Sequence, residues 1–322
     1  MRVKCLWLHG GLPNLNRWVR LPPSAPSPSG EMVDTLVLGT SAKACRFKSC
    51  LGYHYKQTKM KINYTSDLHL EFADVQFTNP NNAEILVLAG DVCLWRYFRR
   101  WPKTRLPEPS NTSYQEAARY RAAFKQASEL YKHVIYVAGN HEYYSGVWPD
   151  YLQVAQEEFQ DTNIHLLDCD VYVYKTVAFL GTTLWSPVDH MASCLMNDYK
   201  AISTNSGRLQ RRHTVQANIK NIDWLKAKNS EYSQLKRVVV THHAPSLKSC
   251  LTDPHYEPFL SAYGNDLDTW IETTNIAAWI HGHVHRLSNY QIGSCNVVAN
   301  PRGYVQHPQP ELIVWPLQTI EV

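Results

Sequence analysis

From residue 60 onward the chain repeats one rhythm, a short apolar run that gives way to a glycine or polar turn. Ile85-Leu86-Val87-Leu88 is apolar throughout, the mark of a strand buried on both faces, and it runs into Gly90-Asp91. Residues 61–66 alternate Ile62 and Tyr64 with polar neighbours, which predicts a strand leading into Asp67. Val134-Ile135-Tyr136-Val137 predicts a strand that ends at Gly139-Asn140-His141. Val238-Val239-Val240 leads in the same way to Thr241-His242, and residues 277–280 lead to His281-Gly282-His283. Further strands are predicted at 164–167, 171–174 and 177–180, and residues 290–298 and 312–322 are strand-rich. Helical spacing covers 113–133, with Thr112 or Ser113 as the cap, and also 147–160, 214–228 and 266–274. Strands alternating with helices predict an α/β fold with buried, largely parallel strands. With no repeat and no linker after Met60, residues 60–322 are expected to form one domain.

Residues 1–59 break the rhythm. Pro22, Pro23, Pro26 and Pro28 cluster with serines, a composition that predicts a disordered extension. Nine Lys or Arg against Glu31 and Asp34 give this stretch a formal charge of +7, so the whole-chain +4 leaves residues 60–322 at −3. The basic character therefore belongs to the extension and says nothing about the remaining surface. Back-translation of residues 31–50 also permits the spelling of a transfer RNA gene, which offers a second expectation: translation starts at Met60 and the upstream stretch is not protein. Eight cysteines lie scattered without a Cys-x-x-Cys pair, as expected of reduced thiols in a cytoplasmic protein. No apolar run reaches the ~20 residues of a membrane span.

The chemistry sits at the ends of the apolar runs. Asp67-Leu68-His69, Gly90-Asp91, Gly139-Asn140-His141-Glu142, Thr241-His242-His243-Ala244-Pro245 and Gly282-His283-Val284-His285 follow one another in order. Each carries carboxylate, amide or imidazole groups able to hold a divalent cation, and together they offer too many for one ion and about enough for two. Asp67 and His69, like His283 and His285, are two apart and can grip one ion from a strand end. Asp91 is the candidate carboxylate to bridge two cations, and Asn140 adds a neutral oxygen. Mixed nitrogen and oxygen donors fit Mn²⁺, Fe or Zn²⁺ better than Ca²⁺. Paired cations suit hydrolysis of phosphate esters.

In this ordered set the chain resembles the calcineurin-like metallophosphoesterases, from Met60 to Val322. The resemblance implies two facing mixed β-sheets flanked by helices. It also implies that Asp67, His69 and His285 hold one ion, that Asn140, His242 and His283 hold the other, and that Asp91 bridges them. His242 is preferred to His243, the alternative beside it. His141 resembles the family's non-ligand histidine, which contacts phosphate and protonates the leaving group. The protein phosphatases of the superfamily carry Asp-Arg-Gly soon after Gly-Asp, whereas Val92-Cys93-Leu94-Trp95 stands here. Its break-repair nucleases carry His-x-Asn at the fourth motif, which is also missing. What remains is the set of small bacterial and phage-type phosphoesterases, acting on a small phosphodiester or a nucleotide.

Two other readings come with it. The run from Trp95 to Arg105 interleaves rings with cations, so Arg99 and Arg100 are candidate phosphate contacts of a nuclease on DNA or RNA, against a packed loop. A non-catalytic scaffold shares the fold, but the intact ligand set speaks against it. Asn197, with Asp198 beside it, is a candidate for the cleft wall. Arg302 is a candidate phosphate contact, against a turn built on Pro301 and Gly303.

Overall fold

The apolar runs become strands, and their ends are where the motifs lie. A computed structural model describes residues 59–250, 254–306 and 317–322. The expectations for residues 1–58, and for a strand over 312–316, fall outside the described residues. In chain order the first strands are β1 (Lys61–Thr65), β2 (Ile85–Ala89), β3 (His133–Val137), β4 (Ile164–Leu167), β5 (Asp170–Tyr174) and β6 (Val177–Thr182). A small hairpin, β7 (Ser203–Thr204) and β8 (Gly207–Arg208), precedes β9 (Lys236–Thr241) and β10 (Ile276–His281). β11 (Ser288–Ile292), β12 (Cys295–Ala299) and β13 (Gln318–Glu321) complete the set.

One sheet has the order β13-β1-β2-β3-β4, parallel except for the antiparallel edge strand β13. The other has the order β11-β12-β10-β9-β6-β5, parallel in its middle and antiparallel at both edges. Both sheets are therefore mixed, where strand periodicity alone predicted mainly parallel pairing. Alternation along each strand sorts the side chains into layers. Ile62, Ile85, Val87, Ile135 and Val137 of the first sheet pack against Phe179, Val238, Val240, Ala278 and Ile280 of the second. Their neighbours Leu86, Leu88, Val134 and Tyr136 face the outer side of the first sheet, packed with Ala117, Tyr120, Phe124 and Ala127. On the far side Leu180, Val239 and Trp279 pack with Leu225 and Ile271. The result is a four-layer α/β sandwich.

The helices are α1 (Arg96–Arg100), α2 (Thr112–Leu130), α3 (Tyr151–Phe159), α4 (His190–Leu195), α5 (Asp198–Ala201), α6 (Arg211–Glu231), α7 (Leu260–Tyr263) and α8 (Asp268–Glu272). α2 is capped by Asn111, whose side chain accepts from the Ser113 and Tyr114 amides, and not by Thr112 or Ser113. α3 starts later than its periodicity predicted, because Pro149 pushes the residue before it out of helical backbone. None of the helices among the described residues is long and apolar enough to cross a membrane.

The first half of the basic-aromatic run folds as α1 and residues 101–105 form a turn; Trp95, Phe98 and Trp101 are buried in the core against Tyr143, Tyr120 and Tyr114.

Candidate metal centre

Five strands deliver the motifs to one edge of the sandwich. β1, β2 and β3 of the first sheet and β9 and β10 of the second all end there at their carboxyl ends, where ligands gather in open α/β sheets. Beyond the strands the chain keeps its pairing: the Asp67 amide donates to Gly90 O (2.9 Å), the His69 amide to Asp91 O (3.0 Å) and the Gly282 amide to His242 O (2.9 Å). To do this while turning side chains inward, five residues adopt left-handed backbone: Asp67 (φ 51°), His69 (φ 44°), Asp91 (φ 53°), His283 (φ 68°) and His285 (φ 52°). Such conformations are costly for residues with a Cβ and gather at functional sites. Two glycines let the loops close up. A Cβ on Gly90 would lie 2.3 Å from His242 Nδ1, and one on Gly139 would lie 2.1 Å from Asp91 Oδ1.

The side chains meet as two groups of donor atoms. Asp67, His69, Asp91 and His285 form one, with His285 Nε2 3.3 Å from Asp67 Oδ1 and His69 Nε2 3.0 Å from His285 Nε2. Asp91, His242 and His283 form the other, with His242 Nε2 3.4 Å from Asp91 Oδ1. Asp91 belongs to both. Asn140 Oδ1 is 3.0 Å from His242 Nε2, which brings the amide oxygen to the second group. The set fits divalent cations. Two imidazole nitrogens this close, and a buried His283 Nε2 without a hydrogen-bond partner among the described residues, are poor company for one another and good company for a cation. His242 offers Nε2 because its Nδ1 faces Ala89 O at 2.9 Å. His243 turns elsewhere: its Nδ1 lies 3.4 Å from Thr183 O and its ring packs on Trp185.

Surrounding side chains set the orientation of these groups. Glu71 Oε1 lies 3.1 Å from His69 Nδ1 and 2.9 Å from His141 Nδ1, so one carboxylate aims both rings with Nε2 toward the cleft. Burial alone would raise the Glu71 carboxyl, but the His141 and His69 hydrogen bonds outweigh it and hold it at about 2. Burial would likewise depress His141, yet Asp91 and Glu71 lift it to about 9. His141 also stacks on Tyr144 (centroids 4.1 Å apart), and its Nε2 is 3.2 Å from Tyr304 OH. Asp198 accepts from Asn140 Nδ2 and Tyr144 OH, both at 2.8 Å, which leaves Asn140 Oδ1 to face His242. Glu142 is wholly buried and accepts from the Asp91 amide (3.0 Å), the Val92 amide (2.7 Å), the Gly139 amide (2.7 Å) and Tyr136 OH (2.6 Å). It thereby ties the Gly-Asp turn to the Gly-Asn-His turn.

The substrate candidates divide. Asn197 lines the cleft of about 310 Å³ that opens over Asp91, Asn140, His141, His283 and His285. Arg99 and Arg100 do not; they are exposed on α1, away from the cleft wall, while Phe98 and Trp101 on either side of them claim the core. Arg302 does not either. Its guanidinium donates to the carbonyls of Leu68 (3.2 Å), Ala73 (3.1 Å) and Asp74 (2.7 Å), so it braces the loop after β1 rather than phosphate. Sequence reasoning gave no role to Glu71, Glu142 or Tyr304. Glu71 continues the two-residue spacing of Asp67 and His69, a signal that was open to use; Glu142 closes the Gly-Asn-His-Glu motif, and Tyr304 ends the run around Arg302 that follows the last motif.

The sequence model described as calcineurin-like phosphoesterase matches residues 60–287. An uncharacterized protein of Acanthamoeba polyphaga mimivirus is 28% identical over 282 residues, covering 76% of this chain and 91% of its own. Phosphopantetheinyl hydrolase from Mycobacterium tuberculosis shares the fold with a TM-score of 0.54 at 14% identity, covering 82% of this chain and 96% of its own.

Proposed function

The chain belongs to the calcineurin-like phosphoesterase family and is a metal-dependent phosphoester hydrolase, and on that premise we propose that it cleaves a small phosphodiester or a nucleotide. The residues 60–322 would act as the whole catalytic domain, in the cytoplasm. In this reading Asp67, His69 and His285 hold one divalent cation, Asn140, His242 and His283 hold a second, and Asp91 is shared. Mn²⁺, Fe and Zn²⁺ suit these donors. Bound there, the pair supplies Lewis acidity toward a phosphoryl oxygen and lowers the pKa of water.

The chain's own residues do the rest. Asn197 reaches the cleft and can orient the phosphoryl group. His141 faces the cleft with Nε2, and Asp91 and Glu71 favour its protonated form, so it can donate to the departing oxygen. Glu71 keeps Nδ1 of that ring occupied, so the proton delivered comes from Nε2. Tyr304 OH narrows the approach to the same atom.

One observation carries the reading: Asp91 is the single carboxylate common to both groups of donors. Arg99 and Arg100 give no support to a polynucleotide substrate, because they lie outside the cleft wall and the neighbouring rings of Trp95, Phe98 and Trp101 are spent on the core. The test is hydrolysis of bis-p-nitrophenyl phosphate against p-nitrophenyl phosphate with Mn²⁺, Fe²⁺, Zn²⁺ or Ni²⁺. The diester should turn over faster, and Asp91→Asn should abolish both activities. No turnover with any of the four metals would overturn the proposal.

A further inference from the structure

Past His141 the cleft does not end. A second lobe of about 620 Å³ shares His141, Tyr144, Asn197 and Tyr304 with the first, so these four form the wall between the two. The new lobe is lined by a different chemistry: the rings of Phe72 and Tyr97 and the guanidinium of Arg96. Arg96 lies over the Tyr97 ring (4.6 Å) and donates from Nη2 to Tyr97 OH at 2.8 Å, which fixes its direction. Its Nε is buried and finds no hydrogen-bond partner among the described residues. No carboxylate there is within ion-pair distance of it either. Glu71 faces two imidazoles through Oε1, with Oε2 buried and without a hydrogen-bond partner among the described residues, and Glu116 is held by Arg119 at 2.5 Å, so neither carboxylate is paired with Arg96.

We propose that this second lobe receives the leaving group, and that the leaving group is a nucleotide: an anion held by Arg96 and a planar ring laid on Phe72 and Tyr97. The inference rests on the proposed function above, in which His141 serves the departing oxygen. A group leaving past His141 enters the lobe on its far side. A lone fixed guanidinium asks for a phosphate or carboxylate, and aromatic faces accept any base by stacking. The volume suits a fragment of nucleotide size. The substrate class that follows is a phosphoanhydride or phosphodiester with a nucleotide on the departing side. In hydrolysis, water adds to one phosphorus, the bond from that phosphorus to the bridging oxygen breaks, and the nucleotide departs with the electron pair and gains a proton.

Diadenosine diphosphate, whose leaving group is AMP, tests this against bis-p-nitrophenyl phosphate, whose leaving group has a ring and no anion. Arg96→Ala should lower the ratio of kcat/KM for the two substrates by about tenfold or more, chiefly through KM, since charge-assisted hydrogen bonds carry effects of that size. Arg96→Lys should recover part of the ratio. A ratio within about twofold of the parent overturns the assignment, as does a parent enzyme that cleaves bis-p-nitrophenyl phosphate and leaves diadenosine diphosphate intact. Absence of turnover on both substrates sinks the proposed function instead. AMP titration calorimetry then decides the present inference alone: binding weakened about tenfold by Arg96→Ala supports it, and unchanged or undetectable binding refutes it.

Discussion

Glu142 offers the sharpest test of how the site is assembled. Its carboxylate accepts from three backbone amides and one phenol, all buried, and those amides belong to the two turns that present Asp91 and Asn140. Burial and the nearby Asp91 raise its pKa, a cost tolerated only because four donors converge on it. Glu142→Ala strands all four. A buried donor left without an acceptor costs about 1–3 kcal/mol, and water entering the space moves each toward the lower figure, so the expected loss is ~4 kcal/mol. Since domains of this kind are stable by only about 5–15 kcal/mol, that is a large share of the total. Glu142→Gln keeps an oxygen for one pair of donors and turns an NH₂ toward the other, so about half that loss is expected. Urea denaturation followed by far-UV circular dichroism measures both, and metal content after dialysis reports whether the two turns still present their ligands. If Glu142→Ala unfolds within about 1 kcal/mol of the parent and keeps its metal, the account of this carboxylate is wrong.

Asp198→Ala should let the Asn140 amide rotate, because the acceptor that fixes Nδ2 is gone; metal affinity should fall about 10–100-fold at one site, read by competition with a chelating dye. Arg302→Ala removes three hydrogen bonds to carbonyls and should cost about 2–3 kcal/mol in denaturation, while the KM of the refolded variant stays within twofold; a selective rise in KM would restore it as a phosphate contact. His165 stacks on Tyr172 at 3.7 Å, and burial with His133 nearby depresses it to about 4. Its folded pKa lies below its unfolded value, so its contribution is full above about pH 6.5 and disappears as pH falls toward 4. The urea midpoint of His165→Gln should therefore fall less steeply than that of the parent between those pH values.

The strands and the five motifs were legible because each is local: an apolar run, then a glycine, then a ligand. Asp67, Asp91 and His283 could be placed at strand ends from sequence alone for that reason. For Glu71 the two-residue spacing after His69 could give its position but not its task, which comes from His141, seventy residues away and on another strand's loop. Arg99 and Arg100 misled because cations interleaved with rings look alike whether the rings face solvent or core; only the packing of Trp95, Phe98 and Trp101 on α2 and its neighbours decides. Arg302 misled for a similar reason. A guanidinium beside a metal motif suggests phosphate, and the carbonyls of Leu68, Ala73 and Asp74 that claim it are visible only after folding. The mixed pairing of the sheets came from the family resemblance and not from the strands themselves, because edge strands differ from central ones in their partners and not in their own residues.

The five inward-turned ligand residues have a bearing on how the protein can change over time. Each non-glycine residue in left-handed backbone costs about 1–3 kcal/mol, a cost that glycine at the same position would not incur. An Asp67→Gly or Asp91→Gly variant would thus relieve torsional tension and a buried charge in one step, and lose the ligand. Inactive descendants of this fold should be sturdier than active ones, so selection for robustness alone would drift toward silence at these positions.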